Sequence, residues 1–126
     1  MSNPLVRRLA HYAPLTREDE RLLDDVSRER TRRVGPREDV SREGDRTRGL
    51  NLLLDGWAMR YKSLEDGRRQ ILSFALPGDL CEQQALLLAR ADHSLGAITA
   101  VTVAEIAPAR LAELLRASPR LAQAFA

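Results

Sequence analysis

A chain of 126 residues supports one domain with a single core and leaves no room for two ordinary ones. Its 20 Lys and Arg nearly balance 18 Asp and Glu, so the mildly positive net charge gives no electrostatic argument for nucleic-acid binding. The lone cysteine, Cys81, excludes an internal disulfide framework and any multi-thiolate metal site; with no membrane-length apolar run and no signal-like N-terminus, the expectation is a soluble protein of the reducing cytoplasm.

Asn3 to Tyr12 carries Leu5, Val6 and Leu9 at helical spacing, which predicts a short amphipathic helix. Thr16 reads as an N-cap with Asp19 three residues on, and Leu22, Leu23 and Val26 share one face of the helix that follows. From Arg28 the texture changes to short strands broken by turns. Arg42-Glu43-Gly44-Asp45 is a turn signal, and Leu50 to Leu54 is a continuous apolar strand of the kind buried on both faces. Asp55-Gly56 is predicted to make a two-residue hairpin turn, because both residues tolerate positive φ.

Trp57, Met59 and Tyr61 alternate with Ala58, Arg60 and Lys62, a two-residue period. Trp57, Tyr61 and Phe74 are expected to fill core. Asp66-Gly67 turns the chain into the strand Gln70 to Phe74, which Pro77-Gly78 ends. A short apolar helix then precedes the strand pattern of Leu95 to Ile106. Turn signals recur at the spacing of an all-β sandwich or barrel. Pro108 suits the first position of a helix with Leu111, Leu114 and Leu115 on its apolar stripe. Ser118-Pro119 opens another, with Leu121, Ala124 and Phe125 facing one way.

The order of helix, strands, short helix between strands, and closing helices resembles the sensor domain of the Crp/Fnr family of bacterial transcription regulators. The residues carrying the likeness are Glu43-Gly44-Asp45, Leu54-Asp55-Gly56, Asp66 to Leu72, Pro77-Gly78-Asp79-Leu80, and Ile106 through Pro119. The resemblance implies a mainly β fold, a cyclic-nucleotide-binding-type jelly roll flanked by N- and C-terminal helices and filling residues 1–126. It also implies a homodimer paired through a long helix, with residues 118–126 its truncated beginning and Leu121, Ala124 and Phe125 its first dimer contacts. DNA would be bound by a helix-turn-helix outside this chain, a small-molecule effector is the expected partner, and no membrane is involved.

In cyclic-AMP-binding members, the resemblance further implies, a cassette between two strands holds the ligand. Its helix N-terminus and an Arg meet the phosphate, a hydroxyl residue follows the Arg, and a Glu preceded by Gly holds the ribose. Laid on that pattern from Gly78 without a gap, Glu82 falls at the Gly, Gln83 at the Glu with Gln84 beside it, His93 at the Arg, and Ser94 at the hydroxyl. A carboxylate at Glu82 occupies the positive field that a phosphate would use, and an imidazole lacks the guanidinium fork. The expectation is a fold without useful cyclic-AMP affinity. Either His93 and Glu82 pair in place of a ligand, or the pocket takes another small molecule; a stand-alone binding module of the same fold is the alternative function.

Other chemistry finds little support. Asp92-His93-Ser94 has the composition of a hydrolase triad, but neighbours on a strand point to opposite faces. A metal-dependent jelly-roll enzyme needs several converging ligands, and His11 and His93 are the only histidines. No cofactor is expected. Cys81 reads as a buried, inert thiol, and the Arg-rich stretch from Arg28 to Arg48, diluted by carboxylates and lacking aromatics, reads as a solvated strand face.

Overall fold

The computed structural model describes residues 3–46, 49–81 and 91–125. Helix α1 spans Pro4–Leu9, with the Asn3 side chain accepting from the Leu5 amide. Helix α2 spans Arg17–Glu29 and begins in a full capping box: Thr16 accepts from the Asp19 amide while the Asp19 carboxylate accepts from the Thr16 amide. Eight strands follow: β1 Thr31–Val34, β2 Asp39–Ser41, β3 Leu50–Asp55, β4 Ala58–Ser63, β5 Arg69–Ala75, β6 Leu80–Cys81, β7 Ser94–Ala97 and β8 Val101–Ile106. Helices α3 (Pro108–Ala117) and α4 (Pro119–Phe125) close the described chain.

The strands form two antiparallel four-stranded sheets, β1-β8-β3-β6 and β2-β7-β4-β5. Strands β3 and β8 carry apolar residues on both faces because both faces are covered. Leu53, Val101 and Val103 point inward to meet Ala58, Ala75, Leu95 and Ala97 of the opposite sheet. Leu50, Leu52, Ala104 and Ile106 point outward beneath the helices, against Leu5, Leu23, Val26, Leu114 and Leu121. The result is the jelly roll with flanking helices that the family resemblance implied.

Two expectations are corrected. Asp55-Gly56 is not a hairpin turn: β3 pairs with β6 and β8, β4 with β5 and β7, so this turn carries the chain across from one sheet to the other. Trp57 and Phe74 do not fill core; they are 57% and 59% exposed. Strand β5 is the edge of its sheet, and a two-residue period marks alternate faces without saying which face is covered. Tyr61 alone of the three is buried. Leu121 and Ala124 are buried in this chain's own helical layer.

The joint between α3 and α4 is held by one carboxylate. Asp19, 1% exposed, accepts from the Ser118 hydroxyl at 2.6 Å and from Arg120 Nε at 2.9 Å. Ser118 in turn caps α4 by accepting from the Leu121 amide. Arg110 of α3 grips the Glu29 carboxylate with Nε and Nη2, a fork that holds the Glu29 carboxyl below its usual range.

Candidate functional site

The cassette begins where β5 ends. Gly78 adopts φ +96°, and a Cβ there would lie 2.9 Å from the Pro4 carbonyl oxygen, so the residue is glycine to let the turn pass under α1. Its amide donates to the Leu53 carbonyl at 2.8 Å. Asp79 fixes the same corner: its carboxylate accepts from the Leu76 amide at 2.8 Å and pairs with Arg8 of α1. The structure thus gives Gly78 and Asp79 the task of anchoring the cassette entry to β3 and α1. Glu82, Gln83 and Gln84, expected to touch a ligand, lie outside the described residues.

At the cassette exit, His93 Nδ1 lies 2.6 Å from Asp92 Oδ1. Its other nitrogen, Nε2, is buried and has no hydrogen-bond partner among the described residues. An imidazole held through Nδ1 presents Nε2 as a defined valence. Ser94 is buried, and its hydroxyl accepts from the Glu43 amide at 2.9 Å. Beside it Tyr61 donates to Asp39 Oδ1 at 2.7 Å. Burial foremost, and then the Asp39 carboxylate, raise the Tyr61 phenol above its ordinary value. Ser94 is therefore engaged with the turn between β2 and β3.

Sequence reasoning left Arg60 without a role. It alternates with Met59 and Tyr61, on the same face of β4 as the buried Ala58, and its guanidinium reaches over to β5 and β6. Nη1 donates to the Ser73 hydroxyl at 3.1 Å and to the Phe74 carbonyl at 3.3 Å, and Nη2 reaches Cys81 Sγ at 3.4 Å. The signal available in the sequence was the alternation of Arg60 with Met59 and Tyr61, which does not say which face is covered. Cys81 is buried as expected. Among the described residues no three His, Cys, Asp or Glu side chains converge to hold a metal ion, and no helix is long and apolar enough to cross a membrane.

A jelly roll interrupted by a strand–cassette–strand unit and closed by helices defines the class of cyclic-nucleotide-binding folds. A family model described as "Cyclic nucleotide-binding domain" matches residues 31–118, and the chain belongs to that family. The nitrogen fixation regulation protein FixK of Bradyrhizobium diazoefficiens is 42% identical over 84 residues, covering 67% of this chain and 35% of FixK. The transcriptional activatory protein AadR of Rhodopseudomonas palustris is 45% identical over 62 residues, covering 49% of this chain and 23% of AadR. The chain thus spans about a third or less of these relatives. Among solved structures, the Thermus thermophilus catabolite activator protein superposes with a TM-score of 0.79 at 20% identity, covering 94% of this chain and 54% of that one. The sensor domain of the regulator DNR from Pseudomonas aeruginosa gives 0.74 at 16% identity, covering 96% and 81%. The Crp/Fnr resemblance read from the glycine and turn motifs is borne out.

Proposed function

We propose that these residues form the effector-sensing and dimerisation module of a cytoplasmic, non-enzymatic Crp/Fnr-type bacterial transcription regulator, and that cyclic AMP is not its signal. DNA is read by a helix-turn-helix outside these 126 residues. The observation that carries the second half of this reading is the Arg60 guanidinium, bonded to Ser73 of β5 and reaching Cys81 of β6. A ligand entering between the cassette and β4 meets a side chain already bonded there, while the phosphate position offers the imidazole of His93 instead of a guanidinium. A different effector, engaging His93 Nε2, would shift the population of two arrangements and pass the change to the helices.

Homodimerisation draws support from the surface. Ile71, Leu72, Phe74 and Leu76 are all exposed along β5 and its end, a run of apolar side chains of the kind that marks an interaction surface. With Leu121 and Ala124 turned inward, this strip and the remaining faces of α4 are the surfaces left for pairing.

Calorimetry with cyclic AMP at physiological salt tests the reading; no binding in the micromolar range is expected, and a micromolar dissociation constant refutes it. Whether the reading frame of the gene continues into a helix-turn-helix separates the regulator from a stand-alone binding module.

A further inference from the structure

The strands that end the two sheets are β1, β6, β2 and β5, and they are not equally open to pairing with another chain. β2 and β6 have 3 and 2 residues, and β1 sets Arg32 and Arg33 along its length; short and charged edges of this kind resist further strands. β5 is different. It has 7 residues, its outer side has no strand partner among the described residues, and Ile71, Leu72, Phe74 and Leu76 are between 46% and 59% exposed. With Trp57, next to the Ala58–Ala75 pair, they expose roughly 500 Å² of apolar surface, at the upper end of what a monomer carries.

The register with β4 fixes which side chains share a face. Ile71 pairs with Tyr61 and Phe74 with Met59. Tyr61 and Met59 lie two apart on β4, so Ile71 and Phe74 are on one face. Leu72, which has no partner in β4, is the bulge that brings them there. Arg69 follows on the same face, its guanidinium 4.4 Å from the centre of the Tyr61 ring. Arg68 and Arg69 thus stand at the entry to β5, and the apolar residues fill its middle and far end.

This layout is complementary to itself when run antiparallel. We infer that two copies of this chain pair β5 to β5 about a two-fold axis between Leu72 and Ser73, joining their sheets into one of eight strands. Ile71 of each copy then stands opposite Phe74 of the other, a β-branched residue against an aromatic one, twice by symmetry. A shift of one residue either way sets Ile71 against a residue of the opposite face. Antiparallel pairing also holds the two Arg69 side chains at opposite ends of the shared ladder, where parallel pairing would set them side by side. The exposed apolar surface is less than the roughly 800 Å² that each partner of a standard interface buries, so the dimer is weak, with a Kd on the order of micromolar. The inference rests on the dimerisation proposed above and names its surface.

Sedimentation velocity of the 126-residue chain, from about 1 to about 500 µM, tests it. Wild type is expected to pass from monomer to dimer across this range. Ile71→Lys, at an exposed position, is expected to weaken association about tenfold or more with an unchanged melting temperature. Ile71→Lys and Phe74→Glu in one chain set opposite charges across both contacts and recover most of that loss, while Ile71→Lys with Phe74→Lys deepens it. Tyr12→Lys, also exposed, leaves association unaltered. Hydrogen exchange of the wild type gives a second reading, with slower exchange of the amides of residues 71–74 at high concentration than at low. A monomer throughout the range overturns this inference and the dimerisation reading together, and leaves β5 to a strand of another protein. A dimer indifferent to Ile71→Lys, or one that opposite charges do not recover, overturns the β5 pairing alone and leaves dimerisation to another surface.

Discussion

Replacing Asp19 by Ala removes three things at once. The capping box of α2 disappears, which costs about 1 kcal/mol. The buried Ser118 hydroxyl loses its acceptor at 2.6 Å, at about 1–3 kcal/mol for a buried donor left unmatched. Arg120 loses its carboxylate, but its side chain is half exposed and water replaces much of that pair. These contributions overlap, so the expected total is about 3–5 kcal/mol. Asp19→Asn keeps the shape and one acceptor and costs about 1–2 kcal/mol.

Urea denaturation followed by far-UV circular dichroism measures this as a midpoint shift. With a slope of about 1–3 kcal/mol/M, Asp19→Ala moves the midpoint by about 2 M at constant slope. Acid adds an independent reading. Burial by itself pushes the Asp19 carboxyl up, but the hydrogen bonds from Ser118, the Thr16 amide and Arg120 outweigh it and hold the group well below the usual carboxylate range. The unfolded chain therefore binds this proton more tightly. The stabilisation is fully present above the unfolded value of about 3.9 and is lost as the pH falls below it. The wild-type stability falls more steeply below pH 4 than that of Asp19→Ala. A midpoint shift under about 0.5 M, or identical acid limbs, refutes the assignment of this carboxylate as what holds the joint between α3 and α4.

Gly56→Ala is expected to cost about 2–4 kcal/mol, because φ is +86° and the new Cβ would lie 2.2 Å from the Ala100 carbonyl oxygen. Gly67→Ala, at φ +87° with open space, costs only the backbone strain of about 1 kcal/mol, so calorimetric melting of the pair isolates the clash. Tyr61→Phe strips Asp39 of its donor and costs about 1–2 kcal/mol near neutral pH. Since burial and Asp39 raise the Tyr61 phenol, the neutral form stabilises the fold below the unfolded value of about 10 and that support is lost as the pH rises through the folded one. Tyr61→Phe removes this alkaline loss, which denaturation curves between neutral and strongly alkaline pH detect. Cys81, 1% exposed, is expected to react with a thiol reagent on the order of a hundredfold more slowly in the native protein than in urea; complete native labelling within minutes contradicts its burial.

The features legible in the sequence were those written by neighbours in the chain. Thr16 and Asp19 announced a capping box, since the partners sit three residues apart. Asp66-Gly67 and Pro77-Gly78 announced a hairpin and a strand end through their backbone preferences. Their order and spacing carried the family resemblance. What escaped depended on partners far along the chain. Nothing near Asp55-Gly56 says that β3 and β4 belong to different sheets, and nothing near Arg60 says that Cys81 lies 3.4 Å from its guanidinium.

The sequence by itself marked the helices, the turns and an all-β sandwich or barrel, because turn chemistry and capping are local properties, and the order of those motifs carried the resemblance to the family. The tertiary structure decided which faces are covered. It placed Leu121 and Ala124 in the chain's own core and left Phe74 on an open edge. It engaged Ser94 with the turn between β2 and β3. Alternation along a strand marks two faces, but only the packing of distant strands and helices chooses which of them meets water.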